Sequence, residues 1–219
     1  MTSLRPFLAL LLALAAGACT TSVQQAVDAT PGVSTPSSDQ RVAEMYGTVS
    51  DSGWTVPAVQ KMQSRNVRKL VDDPTGQPAG TLVVDPRERY LYLVMEGGKA
   101  MRYGVGVGKA GLEFTGEGVV GRKATWPGWR PTDDMIARDP DRYAEWRGGM
   151  AGGIDNPLGA RALYLYKNGQ DTLYRIHGTN QPWSIGQAVS SGCIRMLNQD
   201  VMDLYRRVPQ NARVVVLPA

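Results

Sequence analysis

Tyr174-Arg-Ile-His-Gly-Thr-Asn-Gln-Pro-Trp-Ser-Ile-Gly-Gln-Ala-Val-Ser-Ser-Gly-Cys-Ile-Arg-Met-Leu-Asn198 is the stretch on which the reading of this chain turns. It holds His177, the only histidine in 219 residues, and Cys193, one of two cysteines. A thiol and an imidazole within hydrogen-bond reach make a nucleophile and its base. The imidazole takes the proton and the thiolate attacks. Ser190, Ser191 and Gly192 are small, which leaves backbone N–H groups at Gly192 and Cys193 free to face a developing oxyanion. Each residue also has an ordinary explanation. A lone cysteine commonly serves as a small buried hydrophobe, and a lone histidine as a hydrogen-bonded core or surface residue. Closeness in sequence does not by itself establish closeness in space.

The flanking residues read as strands and turns. Arg161-Ala-Leu-Tyr-Leu-Tyr166 and Thr172-Leu-Tyr-Arg-Ile-His177 form two central strands joined over Lys167-Asn-Gly-Gln170, whose Asn-Gly is a strong hairpin signal. His177 then stands at a strand end, held rigidly beside a loop. Beyond Cys193, Asn198 is expected to cap a helix running through Val208. Val201, Leu204, Tyr205 and Val208 share one apolar face of that helix. Arg213-Val-Val-Val-Leu217 closes the sheet. Further upstream, Thr81–Asp85, Arg89–Met95 and Lys99–Val107 make an antiparallel meander with turns at Asp85–Glu88 and Glu96–Gly98.

His-Gly-Thr-Asn followed by Ser-Ser-Gly-Cys-Ile-Arg-Met resembles the signature of the L,D-transpeptidases with a YkuD-type catalytic domain, and the resemblance covers roughly residues 68–217. It implies a mainly β protein with β-sandwich-like mixed sheets and a short helix after the catalytic loop. It makes Cys193 the nucleophile, His177 its base, and the Gly178 carbonyl the group that orients the ring. Many members carry a second histidine where this chain has Ser191, so the base falls to His177. Arg195 is expected to hold a substrate carboxylate, since its fork binds one bidentately; a structural salt bridge is its ordinary alternative. The implied substrate is a peptidoglycan stem peptide, with no cofactor and no metal. The thiolate would attack the third, diamino-acid residue, release D-Ala, and pass the acyl group to an amine. The resemblance also implies that a carbapenem acylates Cys193. A hydrolase on the same scaffold and a non-catalytic wall-binding module are the alternatives.

Other stretches carry weaker signals. Gly106-Val-Gly-Lys-Ala-Gly111 formally matches a dinucleotide-binding pattern, but a turn-rich run follows where that motif requires a helix. Its glycines are better explained by turns, bulges or close backbone approach. Trp126 and Trp129, set among proline and glycine, are either core plugs or walls of a substrate cleft. Thr132 is expected to cap a short helix through Arg138, and the Gly-rich segment 139–157 is an irregular excursion suited to a lid.

The N-terminus reads as export machinery. Residues 1–18, with Arg5 before the short apolar run Phe7–Ala16, describe a signal peptide. Ala16-Gly17-Ala18-Cys19 resembles a lipobox that would acylate Cys19. The same residues also form an A-x-A cleavage site. Residues 19–64 are assigned to the lipid-attachment cysteine and a flexible tether, the tether composition running to about Gln40; 41–64, with Met45, Tyr46, Trp54 and a short helix over Val56–Met62, is a stretch open to packing on the domain edge, and residues 65–219 are assigned to the catalytic domain. A bacterial periplasmic lipoprotein follows, touching the membrane only through Cys19. The formal charge of +4, from 24 Lys and Arg against 20 Asp and Glu, is mild. No basic run is interleaved with aromatics, so nucleic acid is unsupported as a partner. The oligomeric state leaves no mark in the sequence.

Overall fold

Residues 37–108 and 114–219 are described by the computed structural model. The leader, Cys19, the start of the tether and Gly111 lie outside the described residues. The first helix, α1 (Ser38–Tyr46), opens with a reciprocal cap. The Ser37 hydroxyl accepts from the Gln40 N–H, and the Gln40 side chain accepts from the Ser37 N–H. A hairpin follows, β1 (Val49–Asp51) and β2 (Trp54–Val56). The chain continues through β3 (Lys69–Asp72), β4 (Leu82–Asp85), β5 (Tyr90–Met95), β6 (Lys99–Gly104), β7 (Val107–Gly108) and β8 (Gly116–Thr125). Two short helices, α2 (Asp133–Arg138) and α3 (Pro140–Tyr143), precede β9 (Arg161–Lys167) and β10 (Gln170–His177). The last elements are β11 (Ala188–Ser190), β12 (Ile194–Arg195), α4 (Asn198–Arg207) and β13 (Arg213–Val216).

Nine strands form one mixed sheet in the order β12-β10-β9-β8-β13-β4-β5-β6-β3. Only the β10–β12 and β13–β4 pairs in it are parallel. The expected turns are present. The Asp85 carboxylate accepts from the Arg87 and Glu88 N–H groups, while Asn168 and Gly169 both adopt positive φ, 52° and 78°, as a tight hairpin requires. Thr132 caps α2 through the Met135 N–H at 3.2 Å.

The strand expected over 99–107 breaks after Gly104, and the break rolls the sheet onto itself. Gly106 exchanges two backbone bonds with Arg195 on the opposite edge, at 2.9 and 2.8 Å. A side chain at Gly106 would fall 2.6 Å from the Ser184 carbonyl oxygen, so glycine there serves close backbone approach, not a phosphate. One buried cluster therefore draws on both ends of the sheet: Leu91 and Tyr103 from one, Leu163, Ile176 and Ile194 from the other, with Val201 and Leu204 of α4. Each such side chain contributes about 1.5–3 kcal/mol by leaving water.

The N-terminal segment departs from the tether expected through residue 64. Tyr46 is buried with Ile185 and Leu197, and Val56 with Ala160 and Met202. The Asp51 carboxylate takes both arms of Arg161 at 2.8 Å each, and the Trp126 indole N–H at 2.7 Å. Residues 37–66 are thus part of the folded unit. The helix expected over Val56–Met62 does not form, because its backbone groups are spent elsewhere. The Val59 N–H donates to the Tyr46 carbonyl, and the Pro57 carbonyl accepts from the Gln199 side chain.

Candidate active site

Register builds the site. In the β10–β12 pair Ile176 lies opposite Ile194 and His177 opposite Arg195. Both isoleucines are buried in the core, so alternation turns Arg175, His177, Cys193 and Arg195 to the other face. That face opens into a cavity of about 690 Å³ lined by His177, Cys193, Arg195, Ser190, Ser191 and Trp129, among others.

His177 is 4% exposed. Its Nδ1 lies 2.6 Å from the Gly178 carbonyl oxygen. A carbonyl can only accept, so Nδ1 carries the hydrogen and Nε2 is left as the proton acceptor. Burial pushes the ring pKa down to about 3, and the charges of Arg195 and Arg175 push the same way against the Gly178 bond. The imidazole is therefore neutral at physiological pH.

Cys193 is half-buried with a free thiol. Burial raises its pKa, opposed by the Arg175 backbone and by the charges of Arg175 and Arg195. The Sγ lies 4.0 Å from the Leu173 carbonyl oxygen. Among the described residues no hydrogen bond joins it to His177. Both side chains line the same cavity. At rest both the thiol and the imidazole are thus neutral, not a thiolate–imidazolium pair.

A bulge supplies the carbonyl that faces the thiol. The β9–β10 register shifts between Asp171 and Arg175, and Leu173 sits at φ 64° with its side chain 61% exposed. Left-handed backbone is costly for leucine, and the Asp171 carboxylate holds it by accepting from the Leu173 N–H and from both arms of Arg175. Nothing in the sequence marks this bulge.

The loop that carries Cys193 is braced differently from expectation. The Gly192 N–H donates to Ser190 Oγ at 3.2 Å, and the Ser190 hydroxyl donates to the Cys193 carbonyl at 2.6 Å. Ser190, almost fully buried, therefore holds the loop's shape, and of the two expected oxyanion donors Gly192 is already engaged. Among the described residues no hydrogen bond takes the Cys193 N–H. Ser191 reaches the other way, its Oγ 3.4 Å from the Tyr143 hydroxyl. Tyr143 belongs to the excursion after Trp129, which carries two short helices and is pinched shut by paired backbone bonds between Trp129 and Met150. The segment borders the cavity through Arg142, Tyr143 and Trp146. Arg195 donates to the Gln181 side chain at 3.0 Å, and no carboxylate pairs with it among the described residues.

The two tryptophans separate. Trp129 lines the cavity and stacks at a tilt on Tyr143, centroids 6.2 Å apart. Trp126 packs against Trp54 and bonds to Asp51, so it fastens the N-terminal hairpin and is not a cleft wall. Asn198 is also corrected. Leu197 occupies the cap position of α4, and the Asn198 amide turns inward. Its Oδ1 accepts from the Ala160 and Thr179 N–H groups, and its Nδ2 donates to the Thr179 carbonyl. A side chain on Gly178 would collide with that Oδ1. Glycine after the histidine is thus required by the asparagine, a constraint that local pattern does not reveal.

Residues 79–216 match the YkuD family, the L,D-transpeptidase catalytic domain. Among curated relatives, "Probable L,D-transpeptidase ErfK/SrfK" of Escherichia coli (strain K12) is 34% identical over 139 residues, covering 62% of this chain and 43% of that protein. "Probable L,D-transpeptidase YbiS" of the same organism is 34% identical over 145 residues, covering 61% and 43%. The chain thus spans less than half the length of these relatives. Of solved structures, one described as a probable carnitine operon oxidoreductase caia from Brucella melitensis is 52% identical, covering 65% of this chain and 88% of that one, with a TM-score of 0.48. An L,D-transpeptidase from Mycobacterium smegmatis is 17% identical, covering 62% and 57%, with a TM-score of 0.45. With the family match spanning more than half of its residues, this chain belongs to the YkuD family of L,D-transpeptidase catalytic domains.

Proposed function

We propose that this chain is a peptidoglycan L,D-transpeptidase that works through Cys193. The observation that carries the reading is the 2.6 Å contact of His177 Nδ1 with the Gly178 carbonyl oxygen. The Nδ1–H is committed to Gly178, so Nε2 is a proton acceptor in the same cavity as the free thiol. Substrate binding displaces the thiol from the Leu173 carbonyl and turns it toward Nε2. The proton passes from Sγ to Nε2, and sulfur attacks the carbonyl carbon of the third, diamino-acid residue of a tetrapeptide stem. The oxyanion is met by the Cys193 N–H. Collapse breaks the peptide bond, the D-Ala amine leaves with the proton from Nε2, and a thioester stays on Cys193. An acceptor amine then gives its proton to Nε2, attacks the thioester and releases the sulfur, leaving a 3→3 cross-link or a protein–peptidoglycan link. Arg195 holds a substrate carboxylate, and Trp129 with Ser191 borders the substrate.

The same proposal places the protein in a bacterial periplasm, cleaved after residue 18 and acylated at Cys19. Lipid-precursor labelling of the intact chain and of Cys19→Ala tests the anchor; label that persists in the variant refutes it. No helix among the described residues is long and apolar enough to cross a membrane. For the reaction, the chain is incubated with disaccharide-tetrapeptide and the products are weighed. Cross-linked dimer with released D-Ala is the expected outcome. Tripeptide alone makes it a hydrolase, and unchanged substrate that still binds makes it a wall-binding module.

A further inference from the structure

The cavity has an excess of arginine that catalysis by Cys193 and His177 does not use. Arg138, Arg142 and Arg195 all line it, and none of the ion pairs among the described residues involves them. Arg175, two residues before His177, makes the contrast: Asp171 neutralises it through both guanidinium nitrogens, at 2.6 and 2.9 Å. Asp134 and Asp155 also border the cavity, yet neither forms an ion pair with Arg142 or Arg195.

Arg142 and Arg195 both line the cavity, one from α3 and the other from β12. Arg195 stands on β12 at the sheet edge, with one arm on Gln181 and its remaining N–H donors available. Arg142 stands on α3 in the excursion, beside Tyr143, whose hydroxyl lies 3.4 Å from Ser191 Oγ. Like charges lining one cavity repel, and an anion bound by both reverses the sign of that interaction. Burial lowers the Arg195 pKa and Arg142 adds to the lowering, while Tyr143 and Cys193 oppose it. A carboxylate has two oxygens and about four acceptor directions, enough for one arginine on each side.

We propose that Arg142 and Arg195 together receive a single carboxylate of the substrate, so that the excursion closes onto the bound anion. Arg142 is then a specificity determinant carried by the lid. The assignment of a stem peptide as ligand rests on the function proposed above; the requirement for a carboxylate rests on the two arginines.

The test is direct binding, by calorimetry, to the full chain carrying Cys193→Ala, so that turnover is not needed. Three ligands are compared: disaccharide-tetrapeptide, the same molecule amidated at the terminal D-Ala carboxylate, and the same molecule amidated at the side-chain carboxylate of the diamino acid. One of the amides is expected to bind about tenfold or more weakly, as losing charge-assisted bonds implies. Adding Arg142→Gln is expected to weaken the free acid by a similar factor and to erase the difference from that amide. Arg142→Lys is expected to restore part of it. Equal weakening of all three ligands by Arg142→Gln would make the residue merely structural and overturn the proposal. So would an absence of any effect, or failure of every ligand to bind. If the carboxylate preference depends on Arg142 but the chain with Cys193 intact transfers no acyl group, the proposed reaction falls and the carboxylate receptor stands.

Discussion

Replacing Asn198 by alanine removes three buried hydrogen bonds at once. The Ala160 N–H loses its acceptor at 2.9 Å, the Thr179 N–H loses its acceptor at 3.2 Å, and the Thr179 carbonyl loses its donor at 3.0 Å. Each abandoned buried group costs about 1–3 kcal/mol. Some of that returns through relaxation or an incoming water, so the net loss is expected at about 3–5 kcal/mol. Urea unfolding at neutral pH measures it, as a drop in midpoint with unchanged slope. Because these bonds join the start of β9 to the loop after His177, thiol-dependent turnover is expected to fall in the surviving native fraction as well. Gly178 supplies the control. Gly178→Ala alone drives a methyl into Asn198 Oδ1 and is expected to destabilise strongly. In the double variant that collision is gone, so the two losses should sum to less than their parts by more than about 1 kcal/mol. A loss below about 1 kcal/mol for Asn198→Ala, or strict additivity of the pair, would refute the account of this junction.

Three further outcomes are expected. Alkylation of Cys193 by iodoacetamide should rise with pH through a pKa above the ordinary 9.0, since burial raises the thiol; a midpoint below about 8, typical of a thiolate held by imidazolium, would contradict the neutral pair. Asp51→Ala should cost about 2–4 kcal/mol at pH 7, because it strands Arg161 and the Trp126 N–H. The Asp51 pKa is held below its ordinary 3.8, chiefly by the Arg161 bond. Its contribution is therefore complete above 3.8 and fades as pH falls through the lower folded value, so the gap between the two proteins should narrow only in strong acid; a gap already closed at pH 5 would contradict this. A carbapenem should add its whole mass to Cys193 by ring opening, far more slowly in His177→Ala; equal rates would remove His177 from the base role.

Much of this was legible because the informative features are local. Asn168-Gly169 and Asp85–Glu88 write their own turns, Thr132 caps its own helix, and the alternation ending in Ile176-His177 assigns the faces of β10. His177 and Cys193 lie in one continuous stretch of sequence, and both line the same cavity. What escaped depends on contacts made far along the chain. Asn198 reads as a cap because it opens an apolar-periodic run, yet its amide is claimed by Ala160 and Thr179. Trp126 reads equally as core or cleft until Asp51, 75 residues earlier, takes its N–H. Within 37–66 the sequence offers Tyr46 for packing on the domain edge but not its partners, since Tyr46, Asp51 and Val56 dock on surfaces formed later in the chain. The Leu173 bulge depends on a left-handed leucine that propensity argues against.

Mass analysis of the acyl intermediate decides whether Cys193 is the nucleophile. The full chain is mixed with disaccharide-tetrapeptide, quenched in acid within the first turnovers, and digested for mapping. A disaccharide-tripeptide in thioester linkage to Cys193 is expected, with one D-Ala released per adduct, and neither in Cys193→Ala. Cross-linked product formed at an undiminished rate by Cys193→Ala would contradict that role.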